Sequence, residues 1–189
     1  MAAIFENDLK YSVDDFEVRK KFYDSVGVKD AEFVEYNTDE EKELQRSDID
    51  VMGTFKGRTV GISEKVRRFN YRNDILVEMW SIFENNVPGW LKNSKAEMLA
   101  CFFNDKIVMI HVPSLKAFLH TFAKEHKDFV PSVKETANEM IEKGKIFAKL
   151  ENFKDIFVAV ADNDTYHTVS VIFKTKDLEK NGVKLKEYA

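Results

Sequence analysis

Asp48-Ile49-Asp50-Val51-Met52-Gly53-Thr54-Phe55, then Lys56-Gly57, then Arg58-Thr59-Val60-Gly61-Ile62-Ser63-Glu64-Lys65-Val66 reads as two strands joined by a two-residue turn. Both runs are rich in β-branched and aromatic residues, and Lys-Gly suits the tight connection. A turn of two residues fixes the partners across it: Phe55 faces Arg58, Gly53 faces Val60 and Val51 faces Ile62. Continuing outward, Asp50 meets Ser63 and Asp48 meets Lys65. Because side chains alternate, Asp48, Asp50, Ser63 and Lys65 share one face while Val51, Phe55, Val60 and Ile62 share the other. A slip of one residue would drive the acids into the core.

The flanking segments suggest what the hairpin packs against. Ser12 as a cap, acids in the first turn, and Val13, Phe16, Phe22 and Val26 before Gly27 predict a helix over 12–26. Ala31 to Tyr36 reads as a short strand, and Thr38 opens an acidic helix toward Gln45 that delivers Asp48 to the hairpin. Beyond it lie a basic, aromatic loop from Arg67 to Asn73 and an apolar run from Asp74 to Phe83 that resembles a strand buried on both faces.

Residues 85–89 form a turn cluster. Ala96 to Phe103 and Ile107 to Val112 read as paired strands, with helix the alternative for the first. Ser114 is placed to cap a helix through Leu115, Phe118 and Phe122, and a second helix covers Val133 to Lys143. Ile156 to Ala161 and Thr168 to Phe173 flank Asp162-Asn163-Asp164 as a hairpin, and Thr175 starts a last short helix ending near Gly182. Helices around a central mixed sheet give an α/β expectation, with α+β the alternative.

The chain has 189 residues, 44% hydrophobic and 33% charged, with few glycines and prolines. It reads as one domain, 1–189, able to remove roughly 70% of its unfolded surface from water. Sixteen phenylalanines supply much of the core. A net charge of −4 gives no global attraction to nucleic acid, so phosphate contacts need a local basic patch, and a nonspecific DNA coat is disfavoured. Cys101, a single cysteine between apolar neighbours, reads as a buried thiol. Glu6, Asp8 and Lys10 occupy the place of an apolar signal segment, and no run approaches the roughly 20 apolar residues of a membrane span, so the expected location is cytoplasmic.

Hydrolysis of a phosphodiester needs an aligned water, a neutralised phosphate and a stabilised leaving oxygen; carboxylates holding a divalent metal beside a lysine supply all three. Asp50 and Lys65 are the first candidates. Ser63 occupies the position two before the lysine and binds Mg²⁺ weakly at best. Glu78, thirteen positions after Lys65 in an otherwise apolar run, is costly to bury without a cationic partner and is the expected second acid. Glu64 is the rival, on the opposite strand face unless a bulge rotates it.

Asp50, Ser63 and Lys65 on a hairpin resemble the motif of the PD-(D/E)xK phosphodiesterase superfamily, in its variant with Ser-x-Lys and the acid displaced downstream, here to Glu78. Ile49 stands where the usual motif has proline. Gln45-Arg46-Ser47-Asp48-Ile49-Asp50 and Pro88-Gly89-Trp90 are similar to stretches in a group of small phage and bacterial proteins of that superfamily, a likeness covering about two thirds of the chain. The resemblance implies a restriction-endonuclease-like fold, a mixed central sheet flanked by helices. It implies Mg²⁺ or Mn²⁺ on Asp50 and Glu78, with Glu64 as alternative ligand, and Lys65 orienting water or stabilising phosphate. Gln45, Asp48 and Ser63 would support the site, Arg67, Arg68 and Arg72 would meet the DNA backbone, and Phe69 and Tyr71 would stack on an unpaired base.

Plainer assignments compete. Asp48 and Lys65 could form only a surface ion pair worth about 0–1 kcal/mol, and Arg67 to Arg72 only a solvated loop. His111, His120, His126 and His167 lack zinc-ligand spacing. No Gly-rich phosphate loop follows a strand, and Ser63 has no histidine and acid nearby, which disfavours kinase and serine-hydrolase readings. The expectation is a metal-dependent nuclease-like protein acting on DNA, with RNA and a homodimer left open. The alternative is a nuclease fold without catalysis that binds nucleic acid or a protein, and a structural oligomer ranks third.

Overall fold

The hairpin turns at Lys56 (φ 50°) and Gly57 (φ 75°), a pair of left-handed residues whose twist matches the strands they join. The partners are those expected: Phe55 with Arg58, Gly53 with Val60 and Val51 with Ile62. In this computed structural model residues 16–66, 74–103 and 106–188 are described. Their elements in chain order are α1 (Phe16–Ser25), β1 (Val28–Phe33), α2 (Asp39–Arg46), β2 (Val51–Phe55), β3 (Arg58–Val66), β4 (Asp74–Ile82), β5 (Val87–Pro88) and α3 (Trp90–Asn93). They continue with β6 (Met98–Phe102), β7 (Ile107–His111), α4 (Val112–Glu125), α5 (Phe129–Glu142), β8 (Phe147–Lys149), β9 (Phe157–Asp162), β10 (His167–Lys174), α6 (Thr175–Lys180) and β11 (Leu185–Tyr188).

The strands form two sheets rather than the one central sheet expected: a six-stranded sheet in the order β1-β2-β3-β6-β7-β11 and a five-stranded sheet in the order β5-β4-β10-β9-β8. The first is mixed, because β3 and β6 run parallel. The chain leaves it after β3, builds β4 and β5 in the second sheet, and returns through α3 to β6. With six helices among the described residues, the architecture is α+β.

Alternation along the six-stranded sheet separates two cores. Val51, Val60, Ile62, Ala100 and Met109 pack with Tyr23, and Phe22 of α1 and Val26 just beyond it lie against them. Ile49, Leu99, Cys101, Val108 and Ile110 join Ile75, Val77, Val169 and Val171 of the five-stranded sheet. One face therefore meets α1 and the other meets the second sheet. Phe122, Phe129 and Phe153 extend this larger core as edge-to-face and tilted rings, Phe122 and Phe129 being 5.0 Å apart between centroids. Cys101 is buried.

Several boundaries differ from the sequence expectation for local reasons. The first strand is Val28–Phe33 rather than 31–36: it carries a register irregularity between Lys29 and Glu32, with Asp30 at φ 52°, and Tyr36, at φ 62°, lies beyond its end. The second begins at Val51 rather than Asp48, since Asp48 itself takes φ 56°. Helix α4 is capped by His111, whose side chain accepts from the Ser114 N–H, rather than by Ser114. Helix α5 starts at Phe129, four residues before Val133. Ala96 to Phe103 contains strand β6, the strand expected there rather than the helical alternative, and the residues Ser12 to Asp15 of the first helix lie outside the described residues. No helix among those described is long and apolar enough to cross a membrane.

Candidate active site

Helix α2 begins with a capping box in which Thr38 and Glu41 satisfy each other's backbone and side-chain groups. It ends at Arg46. Asp48 and Ile49 then donate their N–H groups back to Gln45 and Leu44, and the left-handed conformation at Asp48 redirects the chain into β2. This bend carries the Asp48 carboxylate to β3, where its Oδ1 lies 2.8 Å from Lys65 Nζ. The other oxygen, Oδ2, is buried and has no hydrogen-bond partner among the described residues. Lys65 Nζ also lies 5.0 Å from the centre of the Trp90 ring.

Asp50 is held separately. Its Oδ1 accepts from the Tyr36 hydroxyl at 2.7 Å, and its Oδ2 accepts from the Glu64 backbone N–H at 2.7 Å. The Glu64 side chain points the other way, as strand parity requires, with no bulge to rotate it. Its oxygens accept from the Tyr23 hydroxyl at 2.7 Å and from the Arg19 guanidinium. Burial pushes the Glu64 carboxyl above its ordinary range, and Arg19 and the Tyr23 hydroxyl offset this only in part. Burial and the adjacent carboxylates likewise raise the Tyr23 and Tyr36 phenols well above the tyrosine range, so both act as hydrogen-bond donors.

Glu78 sits in the middle of β4, opposite Ser170 of β10. Its Oε1 accepts from the Ser81 hydroxyl at 2.5 Å and from the Trp90 N–H at 3.3 Å. An acid that looked isolated in an apolar run is thus satisfied by local donors. Lys65, Glu78, Trp90, Asp74 and Phe103 line one cavity of about 480 Å³, with Glu64 also in its wall.

The residues singled out from the sequence therefore fall into three groups. Lys65 and Glu78 share the cavity, with Asp48 bound to Lys65; Asp50 and Glu64 belong to the network with Tyr36, Tyr23 and Arg19, and Asp50 is not in the cavity lining. Ser63 is fully buried with its hydroxyl unpartnered among the described residues, and Gln45 is exposed on α2. Arg67, Arg68, Phe69, Tyr71 and Arg72 lie outside the described residues. Among the described residues no three His, Cys, Asp or Glu side chains converge on one ion-sized space.

Tyr36, Ser81 and Trp90 were not recognised as site residues from sequence. Trp90 stands out in sequence only as part of Pro88-Gly89-Trp90, and Ser81 stands three positions after Glu78, too far in an extended strand to look like its donor. The twist and register shift near β5 close that gap. No protein-family model, curated protein or solved structure matches the chain.

Proposed function

We propose that this chain is a metal-dependent nuclease-like protein that hydrolyses phosphodiester bonds in DNA, on a restriction-endonuclease-like variant of its α+β fold. One observation carries the reading: Lys65 and Glu78, thirteen positions apart and on separate sheets, line a single cavity. A cation and a carboxylate lining one cavity are what a phosphate and its attacking water require.

A divalent ion fits the donor set on the evidence of Asp48, whose buried Oδ2 lacks a donor. Mg²⁺ is commonly held by one or two carboxylates and completes its shell with water and substrate phosphate, so a cluster of three acids is not required. Asp50 and Glu78 are the ligands implied by the resemblance, and Asp48 is the one favoured by its open oxygen. Asp50 and Glu64 are the weaker ligands, because the Tyr36 hydroxyl and the Glu64 N–H already engage both oxygens of Asp50, and Arg19 and Tyr23 engage those of Glu64. A bound Mg²⁺ or Mn²⁺ would polarise a phosphoryl oxygen and lower the pKa of a water. In this reading Lys65 exchanges its bond to Asp48 for one to a non-bridging phosphate oxygen. Glu78, oriented by Ser81 and Trp90, accepts the hydrogen bond of the attacking water.

The test is cleavage of supercoiled plasmid, single-stranded DNA and RNA with Mg²⁺ or Mn²⁺. The wild type is expected to cleave DNA, with Lys65→Ala and Glu78→Gln reduced on the order of 10²-fold or more. Equal activity in all three proteins would assign the cleavage to a contaminant or to another site. A second reading, a nuclease fold that binds nucleic acid or a protein without cutting, draws support from the Asp48 bond that already neutralises Lys65 and from Ser63 at the acid position. Calorimetry separates the two. Mn²⁺ binding abolished by Glu78→Gln supports the catalytic reading, and no heat from a folded protein supports the scaffold.

A further inference from the structure

The turn Pro88-Gly89-Trp90 touches both halves of the candidate site. Pro88 pairs with Trp80 of β4, and the Gly89 N–H donates to the Met79 carbonyl at 2.9 Å. A Cβ on Gly89 would fall 2.0 Å from the Glu78 carbonyl oxygen, so the turn lies flat on β4 as only glycine permits. The next residue, Trp90, directs its N–H to the Glu78 carboxylate and its ring to the Lys65 ammonium, 5.0 Å from the ring centre.

We propose that Trp90 is a positioning residue: its indole seats Lys65 of one sheet while its backbone N–H seats Glu78 of the other, so that one residue sets the spacing between the two groups. Its consequence for catalysis rests on the nuclease reading, whereas the placement of Lys65 does not. A lysine reaching across the gap between two sheets has four rotatable bonds and a compact charge. Asp48 holds the ammonium at one point only. The aromatic face supplies the second, through the attraction of a cation to the ring quadrupole. Without the ring the ammonium is free to swing about Asp48.

The experiment uses the full chain carrying Trp90→Leu or Trp90→Phe, with folding checked by circular dichroism. Lys65 side-chain signals are followed by NMR of ¹³C-lysine-labelled protein, assigned through Lys65→Arg, and DNA cleavage is measured with Mn²⁺. The Lys65 signals are expected to lose their ring-current displacement in Trp90→Leu and keep much of it in Trp90→Phe. Turnover is expected to fall on the order of 10²-fold in the leucine variant, the scale of an ångström-sized misplacement, with KM little changed and activity largely restored by phenylalanine. Unchanged Lys65 signals in a folded Trp90→Leu protein would overturn the proposal, as would leucine and phenylalanine behaving alike. If Trp90→Leu does not fold, Lys65→Met replaces it: the Trp90 indole N–H signal must then move while that of Trp80 does not, and a still Trp90 signal overturns the proposal. A wild type that cuts nothing refutes the nuclease reading, and the Lys65 signals decide the positioning role regardless.

Discussion

Asp48 and Asp50 stand two positions apart in sequence yet are held by different means, one by a lysine and the other by a phenol and a backbone amide. Beneath Asp50, Glu64 is the most constrained carboxylate of the site, because its backbone orders Asp50 while its side chain ties β3 to α1. Its raised pKa gives a prediction with a definite sign. A carboxyl that holds its proton more tightly when folded contributes most at low pH, and that contribution is lost as pH rises from the ordinary glutamate range through the folded value. The stability of the wild type relative to Glu64→Gln, from urea unfolding at a series of pH values, should therefore fall through that window and then level off. A wild type that gains on the variant as pH rises would contradict the buried, burial-dominated environment assigned to Glu64.

At the scale of elements, the site depends on two tight turns. The Lys56-Gly57 turn sets the register that brings Asp48 level with Lys65, and the Pro88-Trp90 turn brings Trp90 to Glu78. Gly89→Ala tests the second: with a Cβ 2.0 Å from backbone, it should cost about 1–3 kcal/mol or more and shift the Trp90 signals. Unchanged stability would mean that the turn stands off β4. The hairpin was legible in sequence because a two-residue turn leaves one register, and the capped helix α2 because Thr38 and Glu41 announce it. Strands β5, β8 and β11 were not: they have two, three and four residues, too few to show an alternation. The left-handed residues Tyr36 and Asp48 lie outside strands that composition alone would have carried through them.

For the whole molecule, the decisive feature is that two sheets face each other. Sequence patterning predicted mixed α and β structure and the buried apolar run of β4, but nothing in the pattern distinguishes a strand that extends the first sheet from one that opens a second. That distinction is what places Glu78 and Lys65 on separate sheets. Strand parity in the sequence singled out Lys65 and Glu78, which line one cavity; the link between them through Trp90 needed the tertiary structure. The central claim is that groups from the two sheets serve one reaction, and a double-mutant cycle on single-turnover DNA cleavage tests it most directly. If Lys65 and Glu78 act together, the protein carrying both Lys65→Ala and Glu78→Gln should be no slower than the slower single variant. Losses that multiply would contradict the account, since they would mean that the two residues act independently.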